Sequence, residues 1–200
     1  MVRLLAIFFS ALTFMGVSAQ TPGTTGQYVL DTIAALQANA TKLQIEAQKL
    51  NSLSCAQYLT RTGPFTAILP ILEDIKAGLL VANPVMRSLT PLNDSVCTSA
   101  DFAVSTSITA KLGGVTSSFV RSLTRLSGKG QLNACSLVPS AAQAIRTPLE
   151  QLSIVVLEFY LSIFPLTPFQ GDPQAVQYNT VQELLALAIA AYSPVVGILP

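Results

Sequence analysis

The sequence predicts an all-α protein, a single-domain antiparallel bundle of about five helices. Three observations lead there. Half of the 200 residues are apolar and a tenth are charged, so the chain has ample material for one large core. The apolar residues recur at steps of three and four along five segments, the period of a helix that lays one stripe on a core. Proline, glycine and asparagine separate those segments at intervals that suit helices rather than strands.

The chain opens with features of export. Arg3 gives a positive start, Leu4 to Met15 an apolar run, and Val17-Ser18-Ala19 the small residues before a cut at Gln20, so residues 1–19 read as a secretory signal. The run is too short for a spanning helix, and no stop-transfer segment follows it. Residues 20–27, rich in Thr and Gly, are expected to be a disordered lead-in. The bundle domain is expected over 28–192, with an apolar tail over 193–200. A secreted protein of the extracellular space or cell wall follows from this reading.

The first helix is expected from Tyr28 to Leu53, with Val29, Ile33, Leu36, Ala40, Leu43, Ala47 and Leu50 as its stripe. The second runs from Pro64, a favourable first-turn residue, to Ala82, where Asn83-Pro84 is expected to stop it. Its apolar face holds Phe65, Ile68, Leu69, Leu72, Ile75, Leu79 and Leu80, and Pro70 should kink it. Residues 83–100 read as a long connection. The third helix fits Ser99 to Leu126, capped by Ser99 or Asp101, and Ser127-Gly128-Lys129-Gly130 should end it. Gly113-Gly114 inside it favours a kink, a close helix contact or room for a ligand, with close packing the preferred reading.

The fourth helix covers Pro139 to Phe164 with Pro148 inside. Its nearly continuous apolar run from Leu152 to Phe164 belongs at the centre of a bundle, and Pro165 halts it before it could span a bilayer. The fifth starts at Asp172-Pro173, a cap followed by a first-turn proline, and reaches Tyr192. Its expected stripe is Val176, Val181, Leu184, Leu185, Ala188 and Ala191. Leu184 to Pro200 is apolar enough to invite a lipid-anchor reading, but Thr180 to Glu183 is too short for the spacer that such a signal needs.

Three cysteines are too few for a disulfide scaffold and lack zinc spacing. In an up-and-down bundle, Cys55 and Cys135 lie in loops at the same end, and Cys97 at the other. The expected bridge is therefore Cys55–Cys135, leaving Cys97 free, buried or intermolecular. Asn39-Ala40-Thr41 and Asn93-Asp94-Ser95 are glycosylation acceptors, Asn39 and Asn93 being the modified residues. Sugars and hydroxyls would then supply the solubility that charges do not.

Charge and composition also exclude functions. Eleven Lys and Arg against ten Asp and Glu leave no basic surplus for nucleic acid or anionic lipid. With no histidine, serine- or cysteine-protease triads and histidine-ligated metals are out. Carboxylate chemistry remains open only at Glu73-Asp74, Glu150 and Glu158. Of these, Glu158 lies in the most apolar stretch, where burial would raise its pKa; an exposed acid on the helix's polar edge is the preferred reading. No enzyme, catalytic residue, metal or cofactor is expected.

Val29-Leu30-Asp31-Thr32-Ile33-Ala34-Ala35-Leu36 after the signal, and Gln182-Glu183-Leu184-Leu185-Ala186-Leu187-Ala188-Ile189-Ala190-Ala191-Tyr192 near the end, carry a resemblance. In a secreted helical chain rich in Ala, Leu and Thr, they look like the fungal hydrophobic surface binding protein A family, which is related to cell-wall galactomannoproteins. The resemblance implies a five-helix bundle, secreted or wall-associated, that binds hydrophobic surfaces or fatty-acid-like ligands. The three cysteines, Pro70 and Pro148 depart from that pattern. Plant invertase and pectin methylesterase inhibitors are also secreted bundles, but their paired-cysteine pattern is not matched.

Two functions follow as expectations. In the first, the bundle holds an apolar ligand such as a fatty acid in an apolar cavity, or adsorbs to a hydrophobic surface. Candidate wall residues are Leu72, Ile75, Leu79, Phe119, Val155 and Phe159, for each of which ordinary core packing is the preferred reading. In the second, the protein is a ligand-free interaction protein of the cell surface: a wall component, inhibitor or secreted effector. A third, a carboxylate enzyme, would need Glu158 or Glu150 beside a second acid in a cleft. No transmembrane span is expected.

Overall fold

Apolar stripes at helical spacing form helices wherever a partner can cover them, and the chain supplies five long ones. The computed structural model describes residues 25–92, 99–132, 135, 139–167 and 171–193. Helix α1 spans Thr25–Gln48, α2 Ser54–Leu59, α3 Phe65–Ser88, α4 Ser99–Leu132, α5 Pro139–Ile163 and α6 Gly171–Ala191, with a 3-10 turn at Phe164–Leu166. The described residues contain no strand. The signal segment, Cys97, Asn93 and the tail beyond 193 lie outside the described residues.

Consecutive long helices alternate in direction, yet the closest packing is between parallel helices, each with the next but one in that order. Gly26 lies against Val104, and Gln37 against Gly114 and Ser118, so α1 and α4 run parallel. Contacts of Thr109 with Gln174, Gly113 with Gln177 and Leu126 with Tyr192 place α6 parallel to α4 on its other side. Pairs Lys76–Gln151, Asn83–Val155 and Arg87–Glu158 hold α3 parallel to α5. The result is two layers: α1, α4 and α6 in one, α3 and α5 in the other. The layers join at their edges, α1 on α3 and α5 on α6.

Several boundaries differ from expectation, each for a tertiary reason. Residues 25–27 are helical, not lead-in, because Gly26 is buried under Val104. Helix α1 ends at Gln48, where Asn51 turns the chain by accepting from the Leu53 amide at 2.9 Å, and α2 follows as a separate turn-and-a-half. Asn83-Pro84 does not stop α3. Pro84 is exposed, so the carbonyl it leaves unpaired can meet water, while Asn83 and Met86 are buried and hold the segment in place. Helix α4 likewise runs through Gly128 and Gly130, at about 1 kcal/mol per glycine relative to alanine, and the buried Tyr192 hydroxyl pins its Leu126 carbonyl.

On α6, Val176 is 65% exposed rather than on the stripe. The buried position goes to Gln174, which bonds Thr167 and donates to the Thr109 hydroxyl at 3.1 Å. Gly113-Gly114 does not break α4. The two glycines lie on its outer half and take the amides of the flanking helices: Gln177 of α6 over Gly113, Gln37 of α1 over Gly114. At the opposite end from α1's start, a disulfide joins Cys55 to Cys135, with Cα atoms 5.3 Å apart. This is the pair that the same-end argument selects.

Candidate functional site

The sequence-derived wall residues converge between the two layers. Leu72, Ile75 and Leu79 come from α3, Phe119 from α4, Val155 and Phe159 from α5, and all six are buried in one continuous core. They are buried because each sits on the stripe that faces the other layer. The register of Asn83 on Val155 sets Leu79 about one turn below Val155 and Phe159 one turn above it, and the Tyr160–Thr116 bond brings Phe119 of α4 to the level between Val155 and Phe159. Leu72 and Ile75 lie one to two turns nearer the disulfide.

The packing around them has a particular construction. Neighbouring helices pack with axes about 8–10 Å apart. The pairs α1–α4, α4–α6 and α3–α5 pack in that close manner, whereas the backbone of α4 scarcely approaches α3 or α5. Large side chains reach across the interval. Tyr160 reaches from α5 to α4, its hydroxyl 2.8 Å from that of Thr116, and Thr116 donates in turn to the Leu112 carbonyl. Tyr160 also meets Phe159 and Tyr178 edge-on, with centroids 5.9 and 6.4 Å apart. Burial pushes the Tyr160 hydroxyl far above its ordinary pKa, with the Thr116 bond opposing weakly. The interval is a low-dielectric space with a neutral strut across it.

A second group, which the sequence reading missed, is polar and buried. Ser105, Thr109, Thr167 and Gln174 cluster where α4, α6 and the end of α5 meet. Asn83 is 2% exposed; its Nδ2 donates to the Val155 carbonyl at 3.0 Å, and its Oδ1 has no partner. Serine, threonine and amide side chains on a helix look like surface residues, so only three-dimensional neighbours reveal them as buried.

The acids make no cleft. Glu158 pairs with Arg87 at 3.4 Å on the exposed α3/α5 seam, Glu150 with Arg146 at 2.7 Å, and Glu73 with Lys76. Glu158 therefore takes the exposed-edge position, not a buried one. Among the described residues no group of three or more His, Cys, Asp or Glu could hold a metal. Asn39 sits half-buried on α1, with the Lys42 ammonium 3.4 Å from its Oδ1.

The outer face of α3 and α5 is apolar. Leu80, Val81, Val85, Ile154 and Leu161 are all exposed there, and Leu80 and Ile154 lie between the Lys76–Gln151 and Arg87–Glu158 pairs. The run Pro139–Leu166, 28 residues with its 3-10 turn, is long and apolar enough by length and composition to cross a membrane. Half of its most apolar window is buried inside the bundle, and Pro165 does not shorten it as the sequence reading expected.

The fold is similar to that in the crystal structure of AFMP4P in complex with palmitic acid. The TM-score is 0.51 at 18% identity, covering 84% of this chain and 99% of that one. At that identity the likeness is one of fold. No family profile and no curated protein matches the chain.

Proposed function

We propose that the protein is a secreted or wall-associated, non-enzymatic bundle that holds one long apolar chain, a fatty acid or similar lipid, between its two layers. One observation carries this reading. The layers are tightly packed within themselves but meet closely only at their edges, leaving an apolar interval lined by Leu72, Ile75, Leu79, Phe119, Val155 and Phe159. A chain of methylenes gains about 0.8 kcal/mol per group buried in such surroundings. The AFMP4P fold, which carries palmitic acid, supports the reading, as does the resemblance of residues 29–36 and 182–192 to hydrophobic surface binding proteins.

Native mass spectrometry with palmitic acid titrated in tests it. The expected result is a one-to-one adduct and a thermal midpoint that rises with ligand concentration. The absence of both adduct and shift discards the interlayer site.

A second reading rests on a different observation, the exposed apolar face of Leu80, Val81, Val85, Ile154 and Leu161. Five large apolar side chains exposed on two adjacent helices suit adsorption at an oil–water or wall surface. The L80S/I154S/L161S triple variant should lose activity at an oil–water interface in a drop-tension measurement while keeping the one-to-one adduct. Undiminished surface activity removes this reading.

A further inference from the structure

A buried polar atom on the α3/α5 seam, beside the residues that line the interlayer site, bears on which lipid that site takes. Asn83 stands one turn beyond Leu79 on α3 and holds the Val155 carbonyl of α5, one turn before Phe159. It is thus framed by three of the wall residues. Its Oδ1 is buried and unpartnered, which costs free energy that a leucine at the same position would not incur. The Nδ2 bond to the Val155 carbonyl fixes which amide atom is the oxygen, because a carbonyl cannot accept from another acceptor. The open group is therefore an acceptor.

The surroundings offer little to an anion. No lysine or arginine among the described residues is buried. Arg87, one turn away on the exposed seam, is already paired with Glu158, and Lys76 with Glu73 and Gln151. Other buried polar groups nearby are closed: Ser162 donates to the Phe159 carbonyl, and Thr116 spends its proton on the Leu112 carbonyl, so Tyr160 donates to Thr116. An ionised carboxylate brings only lone pairs to Asn83 Oδ1 and finds no buried cation to offset its desolvation. A hydroxyl, or the O–H of a neutral acid, brings the donor that atom lacks.

We propose that Asn83 Oδ1 is the headgroup acceptor of the interlayer site, and that the site selects long-chain lipids with a neutral O–H donor over ionised fatty acids. This rests on the interlayer reading and names its ligand class.

Displacement of the neutral fluorophore phenylnaphthylamine from the full protein tests it, with dodecanol, methyl dodecanoate and ionised dodecanoate as competitors. The chains are equal in length, and the ester accepts hydrogen bonds but cannot donate one. The expected order is dodecanol tighter than methyl dodecanoate by about tenfold, as one net hydrogen bond gives, with dodecanoate weakest. In N83L, dodecanol should fall to the level of the ester, and the ester should be unchanged. Equal binding of alcohol and ester in the unaltered protein overturns the assignment, and that comparison needs no variant to fold. Dodecanoate binding tightest, or an alcohol preference that survives N83L, overturns it too. If none of the three displaces the fluorophore, the interlayer site itself fails and Asn83 with it.

Discussion

The outer face of the α1/α4/α6 layer carries Lys111, Arg121 and Arg125 along α4, with the Gln37 and Gln177 amides laid beside its two glycines. The outer face of the α3/α5 layer carries Leu80, Val81, Val85, Ile154 and Leu161. Both layers contribute apolar residues to one core, the three-helix layer also burying Ser105, Thr116 and Ser122 of α4. The difference is one of density: the two-helix layer exposes these five large apolar side chains on two helices, whereas the three-helix layer exposes Ile45, Phe102, Val176 and Leu187 spread over three. Function is therefore to be sought between the layers and outside α3 and α5, not on α4.

Alkali should break the whole arrangement. Burial raises the hydroxyls of Tyr160, between the layers, and Tyr192, against the Leu126 carbonyl, above the ordinary value of 10.0. Above about pH 10 the unfolded chain releases these protons and the folded one does not, so stability present below that pH is lost as it rises. An absorbance titration of phenolate, followed alongside circular dichroism, should show these two rings ionising only as helicity collapses. Phenolate from all five tyrosines with helicity intact would contradict the burial.

Phe119→Ala removes a large side chain from between the layers and should cost about 4 kcal/mol in denaturant unfolding. Lys111→Ala, on the outer face of the same helix, should change stability by less than about 0.5 kcal/mol. Similar losses for the two would erase the distinction between inner and outer faces. Removing the bridge by C55S/C135S should cost about 3 kcal/mol, since it closes a loop of 80 residues and ties the layers at one end. Gly113→Ala should have a small effect of the opposite sign, a gain of up to about 1 kcal/mol from helix propensity. The added Cβ would stand 3.3 Å from the Gln177 amide nitrogen, the far end of a flexible side chain that can yield.

Much of this was legible in the sequence. All seven stripe residues of α1 are buried, and the same-end argument selected Cys55 and Cys135 from three cysteines. What periodicity could not supply was pairing: consecutive helices α3, α4 and α5 are not close neighbours, and nothing local says that a long helix packs against the next but one. Asn83-Pro84 looked like a stop because the proline rule is local, whereas the Val155 carbonyl that holds Asn83 lies 72 residues away. Gln174 displaced Val176 from the core for the same reason, its partner Thr109 being 65 residues distant. The burial of Leu72, Ile75, Leu79, Phe119, Val155 and Phe159 was recoverable because apolar stripes point at the core wherever the partner is. The polar atoms among them were not.

The central claim is that a lipid chain lies between the layers rather than on the apolar outer face. Intermolecular nuclear Overhauser effects from a carbon-13-labelled palmitoyl chain to methyl-labelled protein separate the two places directly. The account predicts cross-peaks to the methyls of Leu79 and Val155, with none to Leu80, Ile154 or Leu161. Cross-peaks confined to Leu80, Ile154 and Leu161 would contradict it.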